Sequence, residues 1–300
     1  MRIIDFHNHH FPAQFGRRLV DAAPPSQRKR WESISRRLTD EDLLLRDIRE
    51  GALGARVVNM SPALIADAEG RVPHETIVRL NDDLAALVAR HPGRIHGLAS
   101  VDAYDGERSA REAERAICQL GLRGLFVDSA RGSLMIDAPA ARPTLEAAAR
   151  LGVPVFVHPV APEPLTRQMS PYGLVGSLYA RGTANSAAVI ALVEGGVLSD
   201  LPGLRIVVTS LAIGGVAMLA GLSGRSLKQV FMDTNICHPV LLRTAVDLLG
   251  AENVIAGSDW PINDAPMARQ LADTMRAARL TDDEQEAIAA GNGLRLLGIH

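Results

Sequence analysis

Cysteine is scarce in this chain of 300 residues, which contains only Cys118 and Cys237. The two lie in unrelated segments and form no CxxC pair, so the sequence argues against a disulfide-stapled scaffold and against a zinc site built from thiolates. A reducing cytoplasm is the expected location. The first residues also lack the basic stretch, apolar core and small-residue cleavage site that mark a signal peptide.

Long apolar runs and a strong charge of one sign are also missing. The most apolar stretch, residues 211–222, is too short to cross a bilayer and is interrupted by glycines. The formal net charge is −2, with basic residues spread among acidic ones. This pattern gives no footprint for nucleic acid or an anionic membrane, so the expected partner is a small molecule. A homodimer is possible, but no pattern in the sequence identifies an interface.

Glycine-rich nucleotide loops are the third absence, since no GxGxxG or GxxxxGK[ST] follows any predicted strand. What is present instead is an alternation of short β-rich apolar runs with longer segments of helical period. Eight such runs in one chain predict an α/β fold, a (β/α)₈ TIM-like barrel, formed by residues 1–300 as a single domain. The runs are Ile3–Phe6, Ala55–Met60, Arg94–Ala99, Gly124–Val127, Val153–Val157, Leu204–Thr209, Gln229–Met232 and Asn253–Ala256.

Two segments interrupt this alternation, Phe11–Arg37 and Pro159–Gly182. We predict both to be long loops over the C-terminal mouth of the barrel, where substrate specificity is set. Aromatic residues make up only 4% of the chain, yet Trp31, Tyr172 and Tyr179 fall in these segments. They are expected either to stack on a planar substrate ring or to pack the loops.

A histidine pair ends the first predicted strand. His7 and His9 are one residue apart, so in a regular strand their side chains share one face. Imidazole is the commonest protein ligand for borderline divalent metals, and a catalytic site needs about three or four such ligands. The pair therefore predicts part of a metal site.

The other ligands are expected at the ends of later strands, because barrel enzymes carry their reactive groups there. The fifth predicted strand ends at His158 and the eighth is followed by Asp259. Alone, a histidine such as His158 is more often a structural residue, and the segment that contains Asp259 is consistent with a turn or a helix N-cap. Taken with His7 and His9 they predict one divalent ion, with zinc favoured and manganese possible.

These motifs resemble the amidohydrolase superfamily, in the branch that includes aminocarboxymuconate-semialdehyde decarboxylase. The resemblance implies a metal-dependent barrel in which His7, His9 and His158 bind the metal, and Asp259 binds it or handles protons. The matching pieces are Asp5-Phe6-His7-Asn8-His9, Gly121-Leu122-Arg123-Gly124-Leu125, Val157-His158-Pro159, Pro202-Gly203-Leu204-Arg205-Ile206-Val207, Gly257-Ser258-Asp259-Trp260-Pro261 and Asn292 near the end.

The chain departs from this family in one place and excludes one of its variants. Many relatives carry a histidine after the sixth strand, where this chain has Thr209-Ser210. Ser210 lacks a partner to take its proton and is expected to contact substrate, which leaves Asp259 and His238 as candidates for proton transfer. No lysine ends the fourth strand, so the two-metal form with a carboxylated lysine is not expected.

The leading expectation is a mononuclear hydrolase in which the metal activates water to cleave an amide, lactone or ester bond. The alternative is a non-oxidative metal-dependent decarboxylase of an aromatic or muconate-like acid. Both reactions call for a cation to hold a substrate carboxylate. Arg46 is the predicted residue, and Arg17, Arg18 and Arg56 are the other candidates. A barrel that keeps its metal without catalysis is a third reading, from a different class.

Overall fold

The computed structural model describes residues 2–21, 23, 27–67, 71–160, 163–235 and 238–299. Each of the eight predicted runs contains or overlaps strand structure. The strands are β1 Ile4–His9, β2 Ala55–Asn59, β3 Ile95–Gly97, β4 Ala99–Ser100, β5 Leu125–Asp128, β6 Ala130–Arg131, β7 Leu134–Met135, β8 Pro154–His158, β9 Arg205–Val208, β10 Val230–Asp233 and β11 Val254–Ile255.

Helices separate most of these strands and form the outer layer. Those described are α1 Gly16–Asp21, α2 Arg28–Thr39, α3 Glu41–Glu50, α4 His74–Arg90, α5 Glu107–Cys118, α6 Arg142–Leu151, α7 Glu163–Met169, α8 Gly173–Glu194, α9 Val197–Asp200, α10 Ile213–Met218, α11 Pro239–Leu249, α12 Met267–Ala277, α13 Asp282–Glu286 and α14 Asn292–Leu296. None of the described helices is long and apolar enough to span a membrane.

The parallel strands close into a barrel. One sheet has the order β1-β2-β3 and the other has the order β11-β10-β9-β8-β5-β4, while β6 and β7 form a small antiparallel hairpin outside the barrel. Only Leu98 separates β3 from β4. The first and last strands meet through backbone hydrogen bonds from Phe6 to Ala256 and from His9 to Trp260, both 2.8 Å. The predicted (β/α)₈ barrel is confirmed.

The barrel interior is a small apolar core, separate from the larger one between strands and helices. Its strand residues alternate along each strand as the pleat requires. They are Ile4, Phe6, Ala55, Val57, Leu98, Phe126, Phe156, Val207, Phe231 and Ile255, closed at the N-terminal end by Ala290, Leu296 and Leu297. The next inward positions along four strands carry the polar residues Asn59, Asp128, His158 and Asp233, which form the layer above.

The first strand breaks the simple alternation. Its pairing with β2 shifts register between Asp5 and Asn8. Such an irregularity re-aims the following side chains. Phe6 lies in the inner core, and the His7 ring lies only 4.8 Å from the Phe156 ring of that same core. The irregularity therefore brings both Phe6 and His7 to the barrel interior.

The two predicted mouth loops are largely helical, which corrects that prediction. Residues 11–37 contain α1 and most of α2, and residues 159–182 contain α7 and the first turns of α8. Helix α2 buries Ile34 and Leu38 against the core, with Trp31 packed beside them at helical spacing. Pro24 and Pro25, which favoured a loop, lie outside the described residues.

Candidate metal centre at the barrel mouth

Three histidines converge at the C-terminal mouth of the barrel. His7, His9 and His158 each offer one nitrogen, and these atoms all lie within 4.8 Å of one another. All three side chains are buried. The ring centroids of His9 and His158 are 5.3 Å apart, and those of His7 and His158 are 6.0 Å apart. The residues separated by most of the chain are thus brought together as predicted.

Two polar residues orient the first two rings. Asp233, at the end of β10, lies 2.6 Å from Nδ1 of His7, and Asn59, at the end of β2, accepts a hydrogen bond of 2.6 Å from Nδ1 of His9. Each bond places the ring proton on Nδ1 and leaves the Nε2 lone pair facing the mouth. Nε2 of His7 is buried and makes no hydrogen bond. An orphaned acceptor beside two further imidazoles fits a divalent metal ion.

Asp259 completes the cluster from the loop after β11. Its Oδ1 lies 3.4 Å from Nε2 of His7 and 3.2 Å from Nε2 of His9. Its backbone adopts a φ of +63°, in the left-handed region that aspartate tolerates better than most residues. The Asp259 amide donates to the His7 carbonyl at 2.7 Å. The cluster therefore offers three nitrogens and one carboxylate to one point.

A buried carboxylate holds that loop from below. Asp5 accepts hydrogen bonds from the backbone and hydroxyl of Ser258, at 3.0 and 2.7 Å. Arg56 lies 3.3 Å from Asp5, pairs also with Asp47, and stacks 4.3 Å over the Trp260 ring. Since Asp5 and Arg56 are both buried, each offsets the other's desolvation. Arg56 is therefore part of the support beneath the site, and does not lie at the mouth as the sequence suggested.

The electrostatics favour the metal-binding form of two of the three histidines, His9 and His158. Burial lowers the pKa of His9, and burial together with the Arg181 guanidinium lowers the pKa of His158 well below its usual range. Both rings are therefore neutral near pH 7, the form that ligates metals. Burial opposes a charge on His7, but the carboxylates of Asp259 and Asp233 outweigh it and raise the pKa of that ring.

The Asp259 carboxyl shows the complementary shift. Burial acts to raise its pKa, but the nearby His7 and His9 outweigh burial, so the pKa falls below the usual value. Asp259 is therefore ionised near neutral pH. An anionic carboxylate among neutral or cationic imidazoles is a good additional ligand or a proton acceptor.

Beside the histidine cluster, a cavity of about 170 Å³ opens at the mouth. Its floor consists of His9, His158 and Asp259, and its walls consist of Gln27, Arg30, Trp31, Ile34, Leu64, Leu174, Ser177, Leu178, Arg181 and Ile262. Most of the wall comes from α2 and α8, the two segments that the sequence suggested were loops. The cavity thus combines apolar walls, two cations and a polar floor.

The predicted substrate contacts differ in whether they reach the cavity. Trp31 lines the cavity. Arg46 is exposed on α3, whose buried face carries Leu44 and Ile48, and does not line it. Tyr172 is 66% exposed and also lies outside the lining.

Ser210, predicted to contact substrate, and His238, predicted to transfer protons, are also away from the cavity lining. Ser210 is buried, where its amide donates to Asp233 at 2.9 Å and its hydroxyl donates to the Asn235 carbonyl. His238 is an exposed N-cap of α11, where its Nδ1 accepts from the Val240 amide at 3.3 Å. Asp259 is the one predicted proton-transfer residue that the structure brings to the histidines.

Three residues at the site were missed by the sequence prediction: Asn59, Asp233 and Arg181. The first two end strands and lie two residues beyond the inner core residues Val57 and Phe231, so the alternation of β2 and β10 could have identified them. Arg181 lies on α8, in a segment taken for a loop, and had no comparable signal.

The comparisons with known proteins find decarboxylases. The chain is 26% identical over 304 residues to gamma-resorcylate decarboxylase of Rhodococcus jostii (strain RHA1), covering 89% of this chain and 90% of that protein. It is 23% identical over 291 residues to 2-amino-3-carboxymuconate-6-semialdehyde decarboxylase of Dictyostelium discoideum, covering 90% and 80%.

Solved structures give the same picture of the fold. The crystal structure of 5-carboxyvanillate decarboxylase from Sphingomonas paucimobilis matches with a TM-score of 0.82 and 22% identity, covering 100% of this chain and 99% of that one. Dihydroxybenzoic acid decarboxylase from Polaromonas sp. JS666, solved with manganese and the inhibitor 2-nitroresorcinol, also matches at 0.82 and 22%, covering 99% and 97%.

These relatives overturn the leading expectation of a hydrolase. They are named as decarboxylases of aromatic or muconate-type acids, which agrees with the alternative reading. The absence of a histidine after the sixth strand therefore does not indicate hydrolysis. The expectation of zinc is likewise unsupported, since the metal named in the Polaromonas structure is manganese.

The family comparison covers almost the whole chain. The family model described as amidohydrolase matches residues 4–299. That span includes β1 with His7 and His9, His158 at the end of β8, and Asp259 after β11. The chain belongs to the amidohydrolase family.

Proposed function

We propose that this enzyme is a metal-dependent, non-oxidative decarboxylase of a small aromatic acid, with Mn²⁺ as its metal. The observation that carries the proposal is that His9, His158 and Asp259, which cluster with His7, line a cavity with apolar walls and two arginines. Relatives that are named as decarboxylases of aromatic acids support decarboxylation as the reaction.

The cavity suits a single ring. Its volume of about 170 Å³ is close to that of apolar protein cavities of ~150 Å³ that bind benzene. Trp31 and Ile262 offer flat apolar walls, and the Trp31 ring can stack on a planar substrate. Arg30 and Arg181 supply positive charge that favours an acid over a neutral compound.

The reaction requires a proton at the ring carbon and the loss of CO₂. When bound, the metal supplies positive charge that orients the substrate oxygens and stabilises electron density left on the ring. Asp259 forms part of the cavity floor. Because it is ionised in the free protein, it would first take a proton from solvent and then deliver it to the ring carbon that bears the carboxylate. The C–C bond breaks, its electron pair forms the new C–H bond, CO₂ leaves, and Asp259 returns to its ionised form.

The rest of the chain prepares this carboxyl group. Asp5 holds Ser258 by two hydrogen bonds, and the Asp259 amide is held by the His7 carbonyl. The loop is therefore positioned before substrate arrives, which lowers the cost of reaching a reactive geometry. Ser210, occupied by Asp233 and Asn235, leaves the proton transfer to Asp259.

The direct test is to load the purified protein with Mn²⁺ and to measure CO₂ release from 2,6-dihydroxybenzoate and 5-carboxyvanillate. The variant Asp259→Asn keeps the shape of the side chain and is expected to lower kcat by ~10²–10⁴-fold, the usual contribution of a positioned proton donor. Bound Mn²⁺ is measured in the same samples to separate a lost proton from a lost metal.

Asp264→Asn is the matched control, because Asp264 follows the same loop but lies on the surface in an ion pair with Arg37. It should keep nearly full activity. The proposal is refuted if the metal-loaded enzyme releases no CO₂ from aromatic acids but hydrolyses an ester or lactone in a manner that depends on Asp259.

A further inference from the structure

We propose that Arg181 is the residue that recognises the substrate carboxylate, and that it exchanges a hydrogen bond to His158 for one to the substrate. The inference rests on the proposed function, which it deepens by assigning specificity for an acid. Arg181 was not a candidate from the sequence. The inference is supported by the position of Arg181, by its lack of a direct ion pair and by the single lone pair of His158.

Arg181 lies between the cavity and the histidine cluster. Its Nη2 is 3.0 Å from Nε2 of His158, and its side chain lines the cavity beside Leu178 and Ser177. It is half-buried. A guanidinium at this position is close enough to both His158 and the cavity to serve either one, because its planar fork offers five N–H donors.

Arg181 makes no direct ion pair among the described residues. Other partly buried arginines are paired with carboxylates at 2.7 to 2.9 Å, as Arg115 is with Glu112 and Arg142 with Glu146. The hydrogen bond of Arg181 goes to an imidazole instead, and the nearest carboxylates attract the guanidinium without contacting it. A half-buried guanidinium with no carboxylate bound to it can pair directly with an anionic ligand.

The backbone of this arginine is fixed by a residue one turn further along α8. The Asn185 side chain donates to the Val157 carbonyl of β8 at 3.0 Å and accepts from the Thr209 amide after β9 at 3.0 Å. Helix α8 is therefore tied to the strand that ends at His158. Because the backbone is held in this way, Arg181 reaches its two partners by turning its side chain alone.

The exchange follows from the chemistry of His158. Nε2 of a neutral imidazole has one lone pair, which accepts either the Arg181 hydrogen bond or a metal ion. Positive charge at the cluster also repels the guanidinium. A substrate carboxylate in the cavity offers the displaced side chain two oxygens in the bidentate geometry that arginine prefers.

The test uses Arg181→Met, which keeps much of the apolar length and removes the charge, and Arg181→Lys, which keeps the charge without the fork. Arg167→Met is the matched control, because Arg167 lies on the adjacent helix α7 with a side chain that is 74% exposed. The probes are benzoate, an aromatic carboxylate, and nitrobenzene, a neutral molecule of similar shape. Affinity for Mn²⁺-loaded protein is measured by displacement or calorimetry.

We expect Arg181→Met to weaken benzoate binding by about 10- to 100-fold, the range for a hydrogen bond to a charged group, and to leave nitrobenzene binding unchanged. Arg181→Lys should restore part of the affinity, and Arg167→Met should match the wild type. Equal benzoate affinity in the wild type and Arg181→Met overturns the inference, as does a wild type that does not prefer benzoate to nitrobenzene.

A second readout needs neither substrate nor turnover. In the absence of any acid, Arg181→Met should bind Mn²⁺ about 3- to 10-fold more tightly, because the metal no longer competes with a hydrogen bond to His158. An unchanged Mn²⁺ affinity overturns the exchange. Arg181-dependent benzoate binding in a protein that releases no CO₂ would support the carboxylate receptor and overturn the proposed decarboxylation, so the two failures are distinguishable.

Discussion

The nitrogen that carries the proton on each histidine ring decides whether the cluster can hold a metal. Nε2 of His7 faces the mouth only while Nδ1 of that ring carries its proton toward Asp233, at 2.6 Å. Asp233 is itself held by the amides of Ser210 and Asn235, at 2.9 and 3.0 Å. The backbone at Ser210 therefore has a structural role, since the Ser210 amide orients the carboxylate that orients His7.

We predict that Asp233→Asn weakens Mn²⁺ binding by ~10- to 100-fold, the usual effect of losing a partner behind a ligating histidine. The amide keeps the size of the carboxylate but removes the charge that favours the Nδ1–H form. A metal titration followed by calorimetry measures the effect.

Asp273→Asn, at an exposed position on α12, serves as the control and should bind Mn²⁺ as the wild type does. Wild-type affinity in Asp233→Asn would show that the His7 ring is held by the metal alone, contrary to this prediction.

For single residues, the sequence predicted the candidate metal ligands better than the residues that hold those ligands in place. His7, His9, His158 and Asp259 end strands or follow them, and a rule about strand ends selects them. Asn59 and Asp233 obey the same rule, yet their partners are 50 and 226 residues away along the chain, so the hydrogen bonds cannot be read from spacing. Arg181 lies in the middle of a helix and depends entirely on how α8 packs.

Helix α8 depends on one buried amide for its placement. Asn185 is fully buried and bonds to Val157 on one strand and to both the amide and the hydroxyl of Thr209 beyond the next. Loss of the amide leaves the Val157 carbonyl and Thr209 amide without these partners in a buried region. Such orphaned groups cost more than the hydrogen bonds themselves contribute.

We predict that Asn185→Ala lowers the free energy of unfolding by about 3 kcal/mol, from a cavity and two orphaned backbone groups. Denaturant titration monitored by circular dichroism measures the change. Thr183→Ala on the same helix is the control, because Thr183 is exposed and bonds only to the Tyr179 carbonyl of its own helix. An equal loss in both variants would assign the effect to the helix itself and contradict the bridging role.

Helices α3 and α4 are joined by an ion-pair cluster that depends on pH. Glu41 accepts from Arg90 at 2.6 Å and lies 2.6 Å from Nε2 of His91. The hydrogen bond from Arg90 lowers the pKa of Glu41 most, burial opposes this, and the contact with His91 lowers it further, from 4.5 to about 2. Because the folded-state pKa is depressed, the stabilisation is complete above the ordinary pKa and is lost as pH falls toward 2.

We therefore predict that Glu41→Gln is less stable than the wild type at pH 7, by no more than about 1 kcal/mol because the pair is partly exposed. The difference should shrink between pH 4.5 and about 2. Urea titrations at several pH values measure it, with Glu50→Gln, an exposed residue at the end of α3, as the control. A difference that stays constant with pH would exclude the Glu41 charge as its source.

Strands were easier to predict than the helices of the mouth. A buried parallel strand reads as a short β-branched run, and all eight were located. Helix α2 carries a helical spacing at Trp31, Ile34 and Leu38, but its basic cluster and neighbouring prolines favour a loop. Helix α8 begins with glycines and exposes Leu174 and Val175, so only packing on the barrel identifies its first turns as helix.

The four proposed metal ligands lie at positions that matter for the whole barrel. His7 and His9 belong to β1, Asp259 follows β11, and these two ends meet through the closing hydrogen bonds. His158 ends β8, an interior strand of the six-stranded sheet. A metal held by all of them links the seam of the barrel to a strand across its interior. The order of the strands could be predicted from the βα alternation, but the geometry of this seam could not, because it depends on the register irregularity in β1.

This arrangement predicts that Mn²⁺ stabilises the entire fold. An ion that binds only the folded chain stabilises it by about 2.7 kcal/mol at 100 times its Kd. Thermal unfolding followed by calorimetry should show a higher Tm after Mn²⁺ is added to chelator-treated protein, and the rise should grow with metal concentration. His158→Ala should lose most of this rise, because it removes the ligand that links β8 to the seam.

His74→Ala is the matched control, since His74 begins α4 and takes no part in the histidine cluster. Its metal-dependent rise should equal that of the wild type. The same titration with Zn²⁺ ranks the two metals without any assay of activity. A rise of equal size in His158→Ala and the wild type would place the ion elsewhere on the chain, and the decarboxylase proposal would then lose the site on which it depends.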